Sequence, residues 1–190
     1  MRAQLNSHII HANYNDETIR VYQAYGEEIA LPALKAGTFV APFKMARMTW
    51  IKPSFNWMMY RSGYGSKQGQ EFVLAIDISR EGFDWALENS VLSSFRPEAN
   101  ENFEDWQKAI RNSPVRVQWD PARNWRLDEI DGLRAIQIGL SGEAVERYVK
   151  EWIRSIADVT ALAHSISLAR DAKSVPEFPL HQHIFSRSDQ

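Results

Sequence analysis

Residues Glu71–Leu87 read EFVLAIDISREGFDWAL, and within them the apolar period changes from two to nearly four. Phe72, Leu74, Ile76 and Ile78 alternate with Val73, Ala75 and Asp77, which predicts a strand whose faces are both largely apolar and which therefore lies inside a sheet. Ser79 can cap the helix that follows, where Phe83, Leu87 and Val91 recur at helical spacing. The strand enters the helix without a glycine-rich turn. Strands and helices elsewhere alternate irregularly, with no 20–50-residue repeat. The expected fold is α+β: a single domain with a mixed or mostly antiparallel sheet flanked by helices.

On the C-terminal side, Val115, Val117 and Trp119 alternate with Arg116, Gln118 and Asp120 between Pro114 and Pro121, and Ile136, Ile138 and Leu140 alternate with Ala135, Gln137 and Gly139. Both runs predict strands with one apolar face. Glu129 and Asp131 read as a polar turn. Glu101–Arg111 predicts a helix turning Phe103, Trp106 and Ile110 inward, with acids first and bases last as the helix dipole favours. Val145, Tyr148, Val149, Trp152, Ile153 and Ile156 form one stripe, predicting a helix over Glu143–Ile156 with Ser141 as its cap. On the N-terminal side, Thr18–Tyr25 and Met48–Ile51 predict strands and Thr38–Phe43 an extended stretch. Glu27–Ala36 predicts a helix stopped by Gly37, and Ser54–Arg61 a short aromatic helix ended by Gly63. Residues 1–170 are expected to form the domain and 171–190, with Pro176 and Pro179, a surface or disordered tail.

The chain has 190 residues, 22 basic and 24 acidic, and 44% hydrophobic content, enough for a packed core and too evenly charged for a protein that coats long polyanions. The absence of cysteine excludes disulfides, thiolate metal sites and a thiol nucleophile. No apolar run reaches the roughly 20 residues of a membrane span. Met1–His11 lacks the features of a signal peptide, so a cytoplasmic location is expected. His181 and His183 have no carboxylate at ligand spacing, and no metal is expected.

Chemistry concentrates in Arg47–Gly65, RMTWIKPSFNWMMYRSGYG. Met48, Trp50, Phe55, Met58 and Met59 fit a core, with the cations snorkelling at its rim. Arg47, Lys52 and Arg61 beside Trp57 and Tyr60 equally fit a pocket for a planar anion, with cations on phosphate and rings stacking. Three functions remain open: a nucleotide-using enzyme, a nucleotide- or RNA-binding module without catalysis, and a protein-interaction domain anchored by Trp57, Trp119 and Trp125. The charge balance favours a small nucleotide over a long nucleic acid.

Val21–Tyr25 (VYQAY), Arg47–Gly65, Val73–Leu87, Pro114–Arg123 (PVRVQWDPAR) and Arg134–Val149 (RAIQIGLSGEAVERYV) together resemble the bacterial and fungal family called domain of unknown function 4291, over about Ile9 to His164. That family name implies a compact domain and no activity. The order of elements also resembles the ADP-ribosyltransferase-type fold. This second likeness implies a split sheet whose cleft holds NAD, and it puts the first-strand Arg or His of that fold at Gln23, or at Arg20. It further implies hydroxyls at Thr49 and Ser54, a stacking aromatic at Tyr60, and the late-strand carboxylate near Gln118 or Asp120. No Glu stands there, so Asp120, Gln118 and Gln23 are the catalytic candidates. Arg20, Arg47, Thr49, Lys52, Ser54, Trp57, Tyr60 and Arg61 are the cofactor-binding candidates.

Overall fold

A computed structural model describes residues 9–97, 99, 102–171 and 183–185. In chain order the elements are β1 (Ile10–Ala12), β2 (Thr18–Tyr25), α1 (Glu27–Ala36), β3 (Thr49–Ile51), α2 (Phe55–Ser62), β4 (Phe72–Ser79), α3 (Arg80–Glu88), β5 (Ser90–Leu92), α4 (Phe103–Asn112), β6 (Val115–Arg123) and β7 (Glu129–Leu140). They continue with α5 (Glu143–Arg147), a π-helical turn (Tyr148–Trp152), β8 (Ile153–Asp158), α6 (Thr160–Asp171) and β9 (His183–Phe185). One sheet has the order β2-β4-β8 and a second β3-β7-β6-β5, and β1 pairs with β9. All pairs are antiparallel except β5 with β6. The α+β expectation with a mixed sheet is met.

The two larger sheets touch through one bridge, Tyr22 to Lys52, in which the Tyr22 N–H donates to the Lys52 carbonyl at 2.8 Å. Continued pairing would put Ala24 opposite Trp50 and Tyr25 opposite Thr49. No such ladder forms among the described strands, and β2 and β3 diverge from the bridge as a wedge. The sheets form a middle layer. On one face Ile19, Val21, Leu74, Ile76, Ile138 and Leu140 pack with Ala30 and Ala33 of α1, Phe83 and Ala86 of α3, and Tyr148 and Trp152. On the other, Tyr22, Val73 and Ala75 pack with Phe55, Met58 and Met59 of α2 and Ala163 and Ile166 of α6. Burial of apolar area on both faces, at about 25 cal/mol per Å², is the main force holding the layers together.

Ser79 and Ser54 cap α3 and α2, accepting from Gly82 N and Trp57 N at 3.2 Å. Gly37 and Gly63 end α1 and α2 at φ 72° and 60°, a conformation other residues adopt only with strain.

Several expectations fail. The helix over Glu143–Ile156 stops at Arg147 and, after the π turn, becomes β8, and its cap position is Gly142 rather than Ser141. A register shift in β4 between Asp77 and Ile78 lets Ile153 and Ile156 pair with Ile78 and Ile76, so a bulge absorbs a three-residue spacing that imitates a helix. Glu129 and Asp131 belong to β7, not to a turn, and β6 runs through Pro121 to Arg123. Thr38–Phe43, expected as an extended stretch, joins no strand and turns at Ala41 and Pro42. Helix α4 forms as expected but buries none of its residues; Phe103, 50% exposed, meets Phe95 and Trp106 in a surface cluster. Helix α6 had no counterpart in the reading. Of the expected tail, Asp171 ends α6 and residues 183–185 form β9; the rest lies outside the described residues.

Candidate functional site

Inside the wedge the missing ladder is replaced by side chains. Gln23 and Tyr25, two apart on β2, share a face. The Gln23 amide nitrogen donates toward Thr49 Oγ1 at 2.6 Å and Tyr25 Oη at 2.9 Å, and reaches the Trp50 carbonyl at 3.3 Å. Its oxygen accepts from Tyr148 Oη at 2.7 Å, and Tyr25 Oη and Thr49 Oγ1 lie 2.8 Å apart. Gln23 and Thr49 are buried, and Tyr148 is wholly so. Burial pushes the Tyr25 phenol up to about 12, against smaller opposing effects of the Thr49 hydrogen bond, the Arg47 charge and the Gln23 hydrogen bond. Burial raises Tyr148 well above its ordinary value. Both are neutral phenols at physiological pH.

The wedge opens into a cleft of about 540 Å³. Tyr25, Arg47, Lys44, Glu28, Phe43 and Met48 are among its lining residues. Phe43 stacks on Phe39 at 4.6 Å and meets Tyr25 edge-on at 6.0 Å, which makes one wall aromatic. Arg47 and Lys44 are exposed at the rim. Glu28 sits in the first turn of α1, and Pro32, which has no N–H, cannot donate to the Glu28 carbonyl as a helical residue there normally would.

A second polar group lies past the apex of the wedge. Lys52, only 7% exposed, donates from Nζ to the Trp50 carbonyl at 3.2 Å, the same oxygen that Gln23 approaches. Burial, with the Arg61 charge nearby, lowers the Lys52 amine to about 8, and Asp120 pulls it upward less strongly. Asp120 accepts from the Gln137 amide at 2.6 Å and the Gln118 amide at 3.0 Å, one on each carboxylate oxygen. The order β3-β7-β6 brings these side chains together: Gln118 lies opposite Gln137, and the next step of the β3–β7 register sets Lys52 beside Gln137. Chemically this is an amine that loses its proton at about pH 8, close to a carboxylate whose orientation is fixed.

The sequence candidates thus divide. Gln23, Thr49 and Arg47 gather at the wedge and cleft, whereas Lys52, Arg61, Asp120 and Gln118 gather beyond the apex. Arg20 is not brought to either. It projects from the opposite face of β2 to Gln23 and binds Asp77 through two hydrogen bonds of 2.8 Å, which hold the Asp77 carboxyl below its usual range against the opposing effect of burial. Ser54 serves as the α2 cap. Tyr60 is already engaged, with Trp57 stacked at 5.0 Å and the Arg123 guanidinium over its ring at 4.3 Å. Trp57 is 4% exposed, and Trp119 and Trp125 are half-buried against different core clusters, so the three make no exposed patch. That removes the anchor of the protein-interaction reading.

Sequence reasoning missed Tyr25, Lys44, Glu28, Gln137 and Tyr148. Strand parity with Gln23 was a usable signal for Tyr25, and parity with Ala135 and Gly139 placed Gln137 on the polar face. Nothing local linked Tyr148 to Gln23, 125 residues away. No helix among the described residues is long and apolar enough to cross a membrane, and those residues hold no group of three or more His, Asp or Glu placed to bind a metal ion. No curated protein matches the chain. The blocks that build the wedge and both polar groups lie inside residues 9–182, the span matched by the sequence model of the family described as Domain of unknown function (DUF4291), and the chain belongs to that family.

Proposed function

We propose that the protein binds a nucleotide in the cleft at the split, and that the nucleotide is NAD, consumed by an ADP-ribosyltransferase-like transfer or hydrolysis. The observation carrying this reading is the wedge: two strands forced apart, a neutral hydrogen-bonded floor between them, and an aromatic cleft with two cations at its mouth. These residues fit the group. Arg47 and Lys44 suit a pyrophosphate, with Arg47 able to make paired hydrogen bonds. Phe43 and Tyr25 offer ring contact, and Glu28 can accept from a ribose hydroxyl. Bound NAD would supply a glycosidic bond with a good leaving group.

Gln23 takes a positioning role, fixing Tyr25 and Thr49 through a fully used amide. Asp120, oriented by Gln118 and Gln137, is the proposed carboxylate for stabilising positive charge, and Lys52 the proposed proton acceptor. Lys52 and Arg61, with Trp57 and Tyr60 behind them, are assigned to the reacting end of the proposed site, acting on the transfer step rather than on affinity. A cytoplasmic protein acting on a soluble nucleotide is part of the same reading. Incubation of the pure protein with NAD tests it: nicotinamide release, or saturable NAD binding without release, is expected. Release selects catalysis over a binding module. The absence of both binding and release would overturn the reading.

A further inference from the structure

A smaller cavity, about 110 Å³, lies between β1, the start of α2 and the β6–β7 hairpin. His11, Ser54, Asn56, Arg123 and Arg134 supply its polar lining, and Ile136 is among its apolar wall residues. No carboxylate lines it among the described residues. Two of the lining residues each carry a buried nitrogen, His11 Nε2 and Arg123 Nε, that has no hydrogen-bond partner among the described residues. Native structures rarely leave such atoms orphaned, and orphans on the residues that line a cavity mark a missing partner.

Arg123 is otherwise fixed. Its Nη1 donates to the Leu127 carbonyl at 3.4 Å, its Nη2 lies 3.7 Å from Glu129, and its plane rests on Tyr60. Among the described residues its Nε finds no partner. Arg134 is exposed at the cavity and forms no ion pair among the described residues. Ser54 uses its oxygen to accept from Trp57 N, leaving its own proton available. Glu129 offsets one positive charge, so of the two guanidinium groups at the cavity one charge remains in excess. The start of α2 adds the positive end of a helix dipole. The volume suits one tetrahedral oxyanion and is too small for a nucleotide.

We propose that this cavity binds a phosphate group, as the free ion or as the end of a phosphomonoester, held by Arg123 Nε, Arg134, His11 and Ser54. It is separate from the cleft that takes the proposed nucleotide. The test is an NMR titration of the full chain, following the Arg123 Nε–H resonance, with inorganic phosphate, ribose 5-phosphate and acetate at matched ionic strength. Saturable shifts with phosphate or the sugar phosphate, and not with acetate, are expected. Tighter binding of ribose 5-phosphate assigns the site to phosphomonoesters, and tighter binding of phosphate assigns it to the free ion. Arg134→Ala, at an exposed position, should weaken binding at least tenfold, Arg134→Lys less, and Arg47→Ala not at all. No shift, an equal shift with acetate, an unchanged response in Arg134→Ala, or a response lost in Arg47→Ala would overturn the assignment.

Discussion

On the two sides of the Tyr22–Lys52 bridge, polar groups are buried in opposite ways. Toward the cleft, Gln23, Tyr25, Thr49 and Tyr148 carry no charge and satisfy one another. Past the apex, Lys52 buries a charge whose one side-chain hydrogen bond among the described residues goes to a backbone carbonyl, with Asp120 near enough to help and Arg61 near enough to oppose. The first arrangement stabilises a shape. The second holds a group away from its ordinary protonation behaviour, which is how reactive sites are commonly made. Because Gln23 and Lys52 reach the same Trp50 oxygen, a rigid region abuts a strained one.

Substitutions should separate the two. Gln23→Leu leaves the Tyr148 hydroxyl, and the acceptors it served, without their partner in a buried setting; at about 1–3 kcal/mol for each unsatisfied group, a loss of roughly 2–4 kcal/mol is expected in urea unfolding. A loss under about 1 kcal/mol would show that the network does not hold the wedge.

Lys52→Met should act the other way. Lowering the amine from 10.5 to about 8 means that the folded state resists the charged form, by roughly 3 kcal/mol at neutral pH. Between pH 8 and 10.5 the unfolded chain holds this proton and the folded chain has released it, so wild-type stability gains with rising pH over that window. The variant lacks the gain. It should equal or exceed the wild type near pH 7, with the difference shrinking toward pH 10.5. A pH-independent difference would contradict this. Asp120→Asn has the smallest effect, less than about 1 kcal/mol, and should move the Lys52 titration, followed by side-chain NMR, to lower pH by removing its favourable neighbour.

The sequence displayed part of this contrast. Period and caps gave β2 with α1, β4 with α3, and the aromatic helix α2, because each is decided by residues close in the chain. Helix α6 and strand β8 were illegible for different reasons. The α6 pattern is weakly amphipathic, whereas Ile153 and Ile156 fit a helix until β4 offers an edge and a bulge. No local pattern showed the wedge, since divergence of β2 from β3 depends on sheet pairing. The Lys52–Asp120 approach required the order β3-β7-β6, which 67 residues of intervening chain conceal. The run from Arg47 to Lys67 carries its cations with no acid between them, but that order could not say that Arg47 and Lys52 lie on different sides of one bridge.

The central claim is that the cleft, and not the Lys52 cluster, provides the binding energy for a nucleotide. Calorimetric titration of NAD into the wild type, Arg47→Ala and Lys52→Met tests it most directly. The account predicts saturable binding to the wild type, a loss of about 10–100-fold in Arg47→Ala from the missing charged hydrogen bonds, and nearly unchanged affinity in Lys52→Met. Wild-type protein that takes up no NAD, or Arg47→Ala that binds it as well as the wild type, would contradict it.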